Sequence, residues 1–273
     1  MSDLEEPGLR VAGRAVADYV LEPDVDPTLV PRPYLHPVRT LAGTVVTDVL
    51  PADHEWHLGA GLAIADVSGT NLWGGRSYVH GKGYVWLPDH GRIDHMVWHQ
   101  HSDSVLEHDL VWRDPEGADL LAEHRTITAE QGASAQSWLL TFSTTLTNVL
   151  STPIEIRSPA TNGRGDGAGY GGFFWRLPAI DGMRVEARDP STADRARGED
   201  FVNGSALPEL NVTARSDGNP FTLTFSGLAY ADRWFVRVAE YPAIGVSFAY
   251  RHPLVLAPGA NLDRTFTVTL TDG

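Results

Sequence analysis

The segment Asp53-His54-Glu55-Trp56-His57 puts two carboxylates and two imidazoles into five residues, just ahead of Gly59-Ala60-Gly61. Imidazole titrates close to neutral pH, so a histidine held by a carboxylate can take and return a proton. Two histidines separated by two residues also occur in metal sites on turns and helices. Such a site needs three or four converging ligands, and no third ligand adjoins this pair in the sequence.

A second concentration lies downstream, where six of the eleven histidines fall between His80 and His108. Read as one regular strand, residues 92–102 place Ile93, His95, Val97, His99 and His101 on one face. Asp94, Met96, Trp98 and Gln100 take the other. His99 and His101 would then stand about 7 Å apart on a polar face suited to a ligand. The plainer alternative is an exposed face of polar residues. A third stretch, 121–127, alternates so that Leu121, Glu123, Arg125 and Ile127 share a face. Glu123 and Arg125 would form one anchored pair that orients a hydroxyl-rich ligand, or else a surface ion pair across strands.

Residues 162–172 are very rich in glycine, yet they are no phosphate loop, because the Gly-Lys-Ser/Thr ending and a following helix are both missing. A loop at a pocket rim is the functional reading, and the Arg164-Gly165-Asp166 triplet within it is a chance match. The loop delivers Phe173-Phe174-Trp175-Arg176, with Phe174 and Arg176 facing one way and Phe173 and Trp175 the other. Eight tryptophans and eight tyrosines supply aromatic faces for sugar rings, although most aromatics of a β-sandwich belong to its core.

The elements that must position these residues are short β-rich runs divided by Gly, Pro, Asn and Asp. Strands are expected at 9–20, 44–49, 76–86, 92–101, 105–113, 120–128, 137–148, 154–158, 172–177, 183–188, 221–229, 234–239, 244–250 and 264–271. Asp114-Pro115-Glu116-Gly117 reads as a hairpin turn, and 191–200 as a short polar helix or a loop. No repeat or linker divides the chain. The expectation is therefore an all-β fold: one domain over 1–273, a large antiparallel super-sandwich of two packed sheets.

Composition narrows the function. The chain has no cysteine, which removes disulfides and thiolate metal sites. Its formal net charge of −14 argues against nucleic acid as partner. No apolar run approaches the roughly 18–20 residues of a membrane helix, and the acidic start, residues 1–7, lacks the apolar core of a secretory signal. A cytoplasmic location is the resulting expectation.

Several motifs together resemble the bacterial family called PmoA-like, or "methane oxygenase PmoA". They are Arg32-Pro33-Tyr34-Leu35-His36-Pro37-Val38-Arg39-Thr40, Asp53-His54-Glu55-Trp56-His57, Asp66-Val67-Ser68-Gly69-Thr70-Asn71-Leu72-Trp73, Gly91-Arg92-Ile93, Leu121-Ala122-Glu123-His124-Arg125-Thr126 and Gly171-Gly172-Phe173-Phe174-Trp175-Arg176. The resemblance runs from about residue 30 to the C-terminus and implies a galactose-mutarotase-like β super-sandwich. The oxygenase label does not suit a chain without a membrane span. The family's segment at 53–57 is richer in adjacent histidines than this one, which weakens any metal role carried over to it.

The preferred expectation is a carbohydrate-active enzyme that moves protons on a sugar or oxidised sugar, by mutarotation, epimerisation, or elimination and hydration. His54, His57, His99 and Glu123 are the candidate catalytic residues. His36, Arg39, Asp53, His101, Arg125 and Arg176 are the candidate substrate-binding residues. No metal and no cofactor are expected. A pocket is expected to gather Asp53–His57, His95–His101 and Glu123–Arg125 on one sheet face, with the glycine-rich loop at its rim. The alternatives are a non-catalytic saccharide-binding or sensing protein and, third, a metal-dependent oxygenase or hydrolase.

Overall fold

A computed structural model describes residues 7–165 and 167–273. The acidic start, residues 1–6, and Asp166 of the Arg-Gly-Asp triplet lie outside the described residues. The alternating runs pair into two large antiparallel sheets. The first runs in the order Gly8–Val11, Arg14–Val20, Tyr34–Val38, Ala60–Val67, Gly172–Arg176, Ala243–Ser247 and Arg233–Arg237. The short strands Ile154–Arg157 and Thr70–Leu72 pair with Ala60–Val67, and Leu254–Leu256 pairs with Ile154–Arg157. The second sheet runs Arg195–Arg197, Asp181–Arg188, Glu209–Ser216, Asn219–Ser226, Asn261–Asp272, Ser137–Asn148, Asp119–Gln131, Val105–Arg113 and Arg92–His101. A separate ribbon pairs Ser77–Val79 with Gly83–Val85. Among the described residues no helix is long and apolar enough to cross a membrane.

Period-two alternation turns one face of each sheet into the core. Along Ser137–Asn148, Trp138, Leu140, Phe142 and Leu146 are buried, and the threonines between them are mostly half-exposed. Aromatic contacts then join the layers. Phe173 of the first sheet meets Phe142 and Phe266 of the second at ring distances of 5.1 Å, and Trp175 meets Phe225 edge-on at 5.6 Å. Each such side chain is worth about 1.5–3 kcal/mol of burial, so this seam is a principal bond between the sheets. The far side of the first sheet carries a second apolar cluster of Ala63, Trp73, Phe174, Phe235 and Ala243. Loops cover that side.

Several boundaries differ from expectation. The run 9–20 is a hairpin bent at Ala12-Gly13, and 76–86 is broken at Gly81. Residues 44–49 form only isolated bridges, while 191–200 divides between the strand Arg195–Arg197 and the one-turn helix Glu199–Val202. The strand Ala60–Val67 escaped the alternation test because nearly all of it is buried, on both faces. The strands Tyr34–Val38, Thr70–Leu72, Glu209–Ser216 and Leu254–Leu256 were not expected either. The turn at 114–117 forms as read, with Gly117 N–H donating to the Asp114 carbonyl at 3.1 Å.

Candidate functional site

The expected three-part pocket does not form. Two bulges in Arg92–His101, between His95 and Val97 and between Trp98 and Gln100, break the regular alternation. Ile93, His95, Trp98 and His101 therefore pair with the inward residues Trp112, Leu110, His108 and Leu106. His99 is turned the other way and contacts Asp109, with Nε2 2.8 Å from Oδ2. His101 stacks on Trp98 at 5.2 Å. Neither histidine reaches the pocket described below.

Glu123 and Arg125 do share a face, but it is the core face. Both are buried, so neither the ligand-orienting pair nor the surface pair of the sequence reading applies. The Glu123 carboxylate accepts from Arg125 at 2.7 and 2.8 Å, from Trp112 Nε1 at 2.7 Å and from the Thr144 hydroxyl at 2.9 Å. Arg125 also donates to the Tyr19 hydroxyl at 2.9 Å. With its oxygens filled and water excluded, Glu123 is a structural carboxylate and not a base facing a ligand. Burial raises the Tyr19 hydroxyl to about 12. His36 and Arg39 lie outside the pocket as well, bonded to the Thr47 hydroxyl at 3.0 Å and to Asp18 at 2.9 Å respectively.

Asp53, His54, His57 and Arg176, by contrast, come together. The loop from Leu50 to His57 closes on itself. His54 N–H donates to the Pro51 carbonyl, His57 N–H to His54 and Leu50 N–H to His57, at 2.9–3.0 Å. These successive turns stack the two imidazoles face to face, with centroids 4.7 Å apart and planes 13° apart. Arg32 anchors the loop from beneath by donating to the Trp56 carbonyl at 2.9 Å, and burial lowers this guanidinium to about 9. Gly74 and Gly75 let the neighbouring chain pass under Trp56. Both have positive φ, and a Cβ on either would fall 2.6 Å from the Trp56 side chain.

Alternation along Gly172–Arg176 runs as the sequence predicts. Phe173 and Trp175 enter the inter-sheet core, and Phe174 and Arg176 project to the loop side. Phe174 packs on His57 at 4.8 Å. Arg176 Nη2 donates to both Asp53 oxygens at 3.0 and 3.1 Å, and its Nη1 faces His57 Nδ1 at 3.5 Å. Asp53 in turn holds His54 Nδ1 at 3.1 Å. Partial burial pushes the Asp53 carboxyl up, but hydrogen bonds from His54 and Arg176 outweigh this and set it below its usual range. An ionised Asp53 fixes the His54 proton on Nδ1 and leaves Nε2 as the acceptor. His57 differs. Burial, reinforced by His54 and Arg176, holds its pKa well below 6.5, so this imidazole stays neutral.

Both histidines line a cavity of about 360 Å³ on the loop side of the first sheet. Its aromatic wall is Trp56, Trp73, Tyr84, Trp86, Tyr170, Phe235 and Tyr241, and its charged residues are Arg76, Arg164, Arg237 and Glu240. Tyr84 and Tyr170 join hydroxyls at 3.0 Å, and Arg164 donates to Tyr84. Burial raises the Tyr170 hydroxyl well above 10 and takes that of Tyr241 to about 12, so both remain protonated. Trp86 is 54% exposed at the mouth. Arg164 and Tyr170 bring the glycine-rich loop to this rim. A wider depression of about 1050 Å³ beside Phe201 contains no histidine.

Sequence reasoning missed the far wall. Tyr241, 4.3 Å from His54 and 5.1 Å from the Arg176 guanidinium, and Arg237 and Glu240 near it come from a segment without a motif. The signal available was the cluster Arg237-Val238-Ala239-Glu240-Tyr241 itself, charged and aromatic between two strands.

No curated protein matches the chain. Among solved structures, a galactose mutarotase related enzyme from Lactobacillus acidophilus is similar at 11% identity with a TM-score of 0.30, covering 66% of this chain and 71% of that one. The PmoA-like resemblance is carried by the motifs alone. The family of unknown function DUF6807 matches residues 7–273, and the chain belongs to that family.

Proposed function

We propose that the pocket binds a saccharide, preferably an oxidised, anionic one, and moves a proton on it through His54. The carrying observation is the relay Arg176–Asp53–His54, in which a buried guanidinium fixes a carboxylate and the carboxylate fixes an imidazole tautomer. His54 Nε2 is the base that accepts a proton from a sugar hydroxyl or an activated C–H. Glu240, on the same cavity wall, is the carboxylate available as second member of an acid–base pair. Neutral His57 positions the ligand, because its depressed pKa makes it a poor proton acceptor.

The aromatic wall suits the C–H faces of a pyranose ring. Three lining arginines against one carboxylate make the wall cationic in a chain of net charge −14. That contrast favours a sugar acid over a neutral hexose. The test is a panel of hexoses, keto-sugars, aldonates and hexuronates, followed by tryptophan fluorescence for binding and by NMR for anomer exchange, epimerisation or elimination. A sugar acid that binds and turns over in wild type, but only binds in H54Q, supports the reading. Binding without turnover by wild type would give the site to a sensing protein. Absence of binding across the panel would remove the saccharide.

A further inference from the structure

On the outer face of the second sheet, sharing no residue with the pocket, three neighbouring strands bring donor atoms of His99, Asp109 and His124 within 4.8 Å of one another. Asp109 Oδ2 lies 2.8 Å from His99 Nε2 and Oδ1 lies 2.8 Å from His124 Nδ1. Glu107 Oε1 lies 3.1 Å from His124 Nε2. The pairing of His124 opposite Asp109 is fixed by the register of Asp119–Gln131 with Val105–Arg113. His99 arrives from the edge strand Arg92–His101, turned to this outer face by the bulge between His95 and Val97, which puts Val97 opposite Asp109.

His124 meets a carboxylate through each ring nitrogen, yet a neutral imidazole has a single N–H. If Nε2–H is given to Glu107, the Nδ1 lone pair confronts an Asp109 oxygen. A cation among Nδ1, Asp109 and His99 Nε2 resolves that conflict. Glu107 then plays the usual part of a carboxylate that orients a metal-ligating histidine through its other nitrogen. We propose that His99, Asp109 and His124 form a binding site for a divalent metal ion of the zinc class. Two imidazoles and one carboxylate suit zinc, nickel or cobalt better than magnesium or calcium. Three protein donors leave a coordination position open. The bound ion would tie the edge strand, through His99, to the strand two places inside the sheet.

Titrating metal-free protein with zinc chloride at pH 7.5 tests the site by calorimetry. Wild type and H54Q should take up one equivalent, which the H99A/H124A double variant loses. E107Q should bind about tenfold more weakly or worse, the usual loss when an orienting partner is removed. Zinc should also slow amide exchange at residues 97–101 in wild type and leave the double variant unchanged. Zinc uptake that survives in H99A/H124A would overturn the proposal. So would absence of uptake by wild type, with nitrogen NMR showing a doubly protonated His124, since the cluster would then be an ion-pair network alone.

Discussion

Arg176 and Asp53, 123 positions apart in the chain, meet through a single guanidinium nitrogen that reaches both carboxylate oxygens at 3.0 and 3.1 Å. The arginine is 5% exposed at its side chain and the aspartate 44%. Removing the aspartate therefore leaves a buried cation without its carboxylate, whereas His54 loses only the partner that fixes its tautomer. D53A should cost about 1–3 kcal/mol of stability and abolish turnover, with ligand binding reduced less. Urea unfolding alongside NMR turnover assays checks both effects. Wild-type turnover in D53A would end the relay mechanism.

Glu123 and Arg125 invite the opposite expectation. E123A removes the counter-ion of a fully buried guanidinium and should destabilise by about 3–5 kcal/mol, while a pocket ligand still binds the folded fraction. The apolar pair E123L/R125M should recover much of that loss, because it deletes both charges together. Chemical denaturation of the two variants distinguishes this from a role at the site, which would leave stability near wild type and remove ligand binding.

His57 gives the protein an acid limit. Its folded-state pKa lies below the ordinary value near 6.5, so on acidification the unfolded chain takes up this proton first. Stability should fall as pH drops below about 6.5, by up to about 1.4 kcal/mol per pH unit from this group, and stop falling once the folded-state value is passed. Above about pH 7.5 the histidine is neutral in both states and contributes no pH dependence. Unfolding midpoints for wild type and H57N from pH 7.5 to 4.5 should diverge, with the variant showing the shallower slope. Parallel curves would contradict the buried neutral imidazole.

Trp86 is more than half exposed at the cavity mouth, where it meets the Arg76 guanidinium at 5.8 Å and the His90 ring at 6.0 Å. W86A should change stability by no more than about 0.5 kcal/mol and weaken saccharide binding roughly 10- to 150-fold, on the scale of about 1.5–3 kcal/mol for burying one large apolar side chain. Fluorescence titration with whichever sugar the panel yields reads this directly. Unchanged affinity would place the ligand deeper, against Trp73 and His57.

The sequence by itself determined the β class, most strand positions and the part of the candidate pocket that lies within one continuous motif. Asp53, His54 and His57 are legible because a closed loop keeps near neighbours together, and Phe174 and Arg176 because an undisturbed strand alternates strictly. What only the tertiary structure decided was which face belonged to water. Glu123 and Arg125 look like surface chemistry until the first sheet closes over them, and the two bulges, one turning His99 outward and the next returning His101 inward, each add a residue that no period-two pattern reveals. Tyr241 and Arg237 join the pocket through pairing between strands far apart in the chain. That juxtaposition depends on long-range register, which local residue types do not encode.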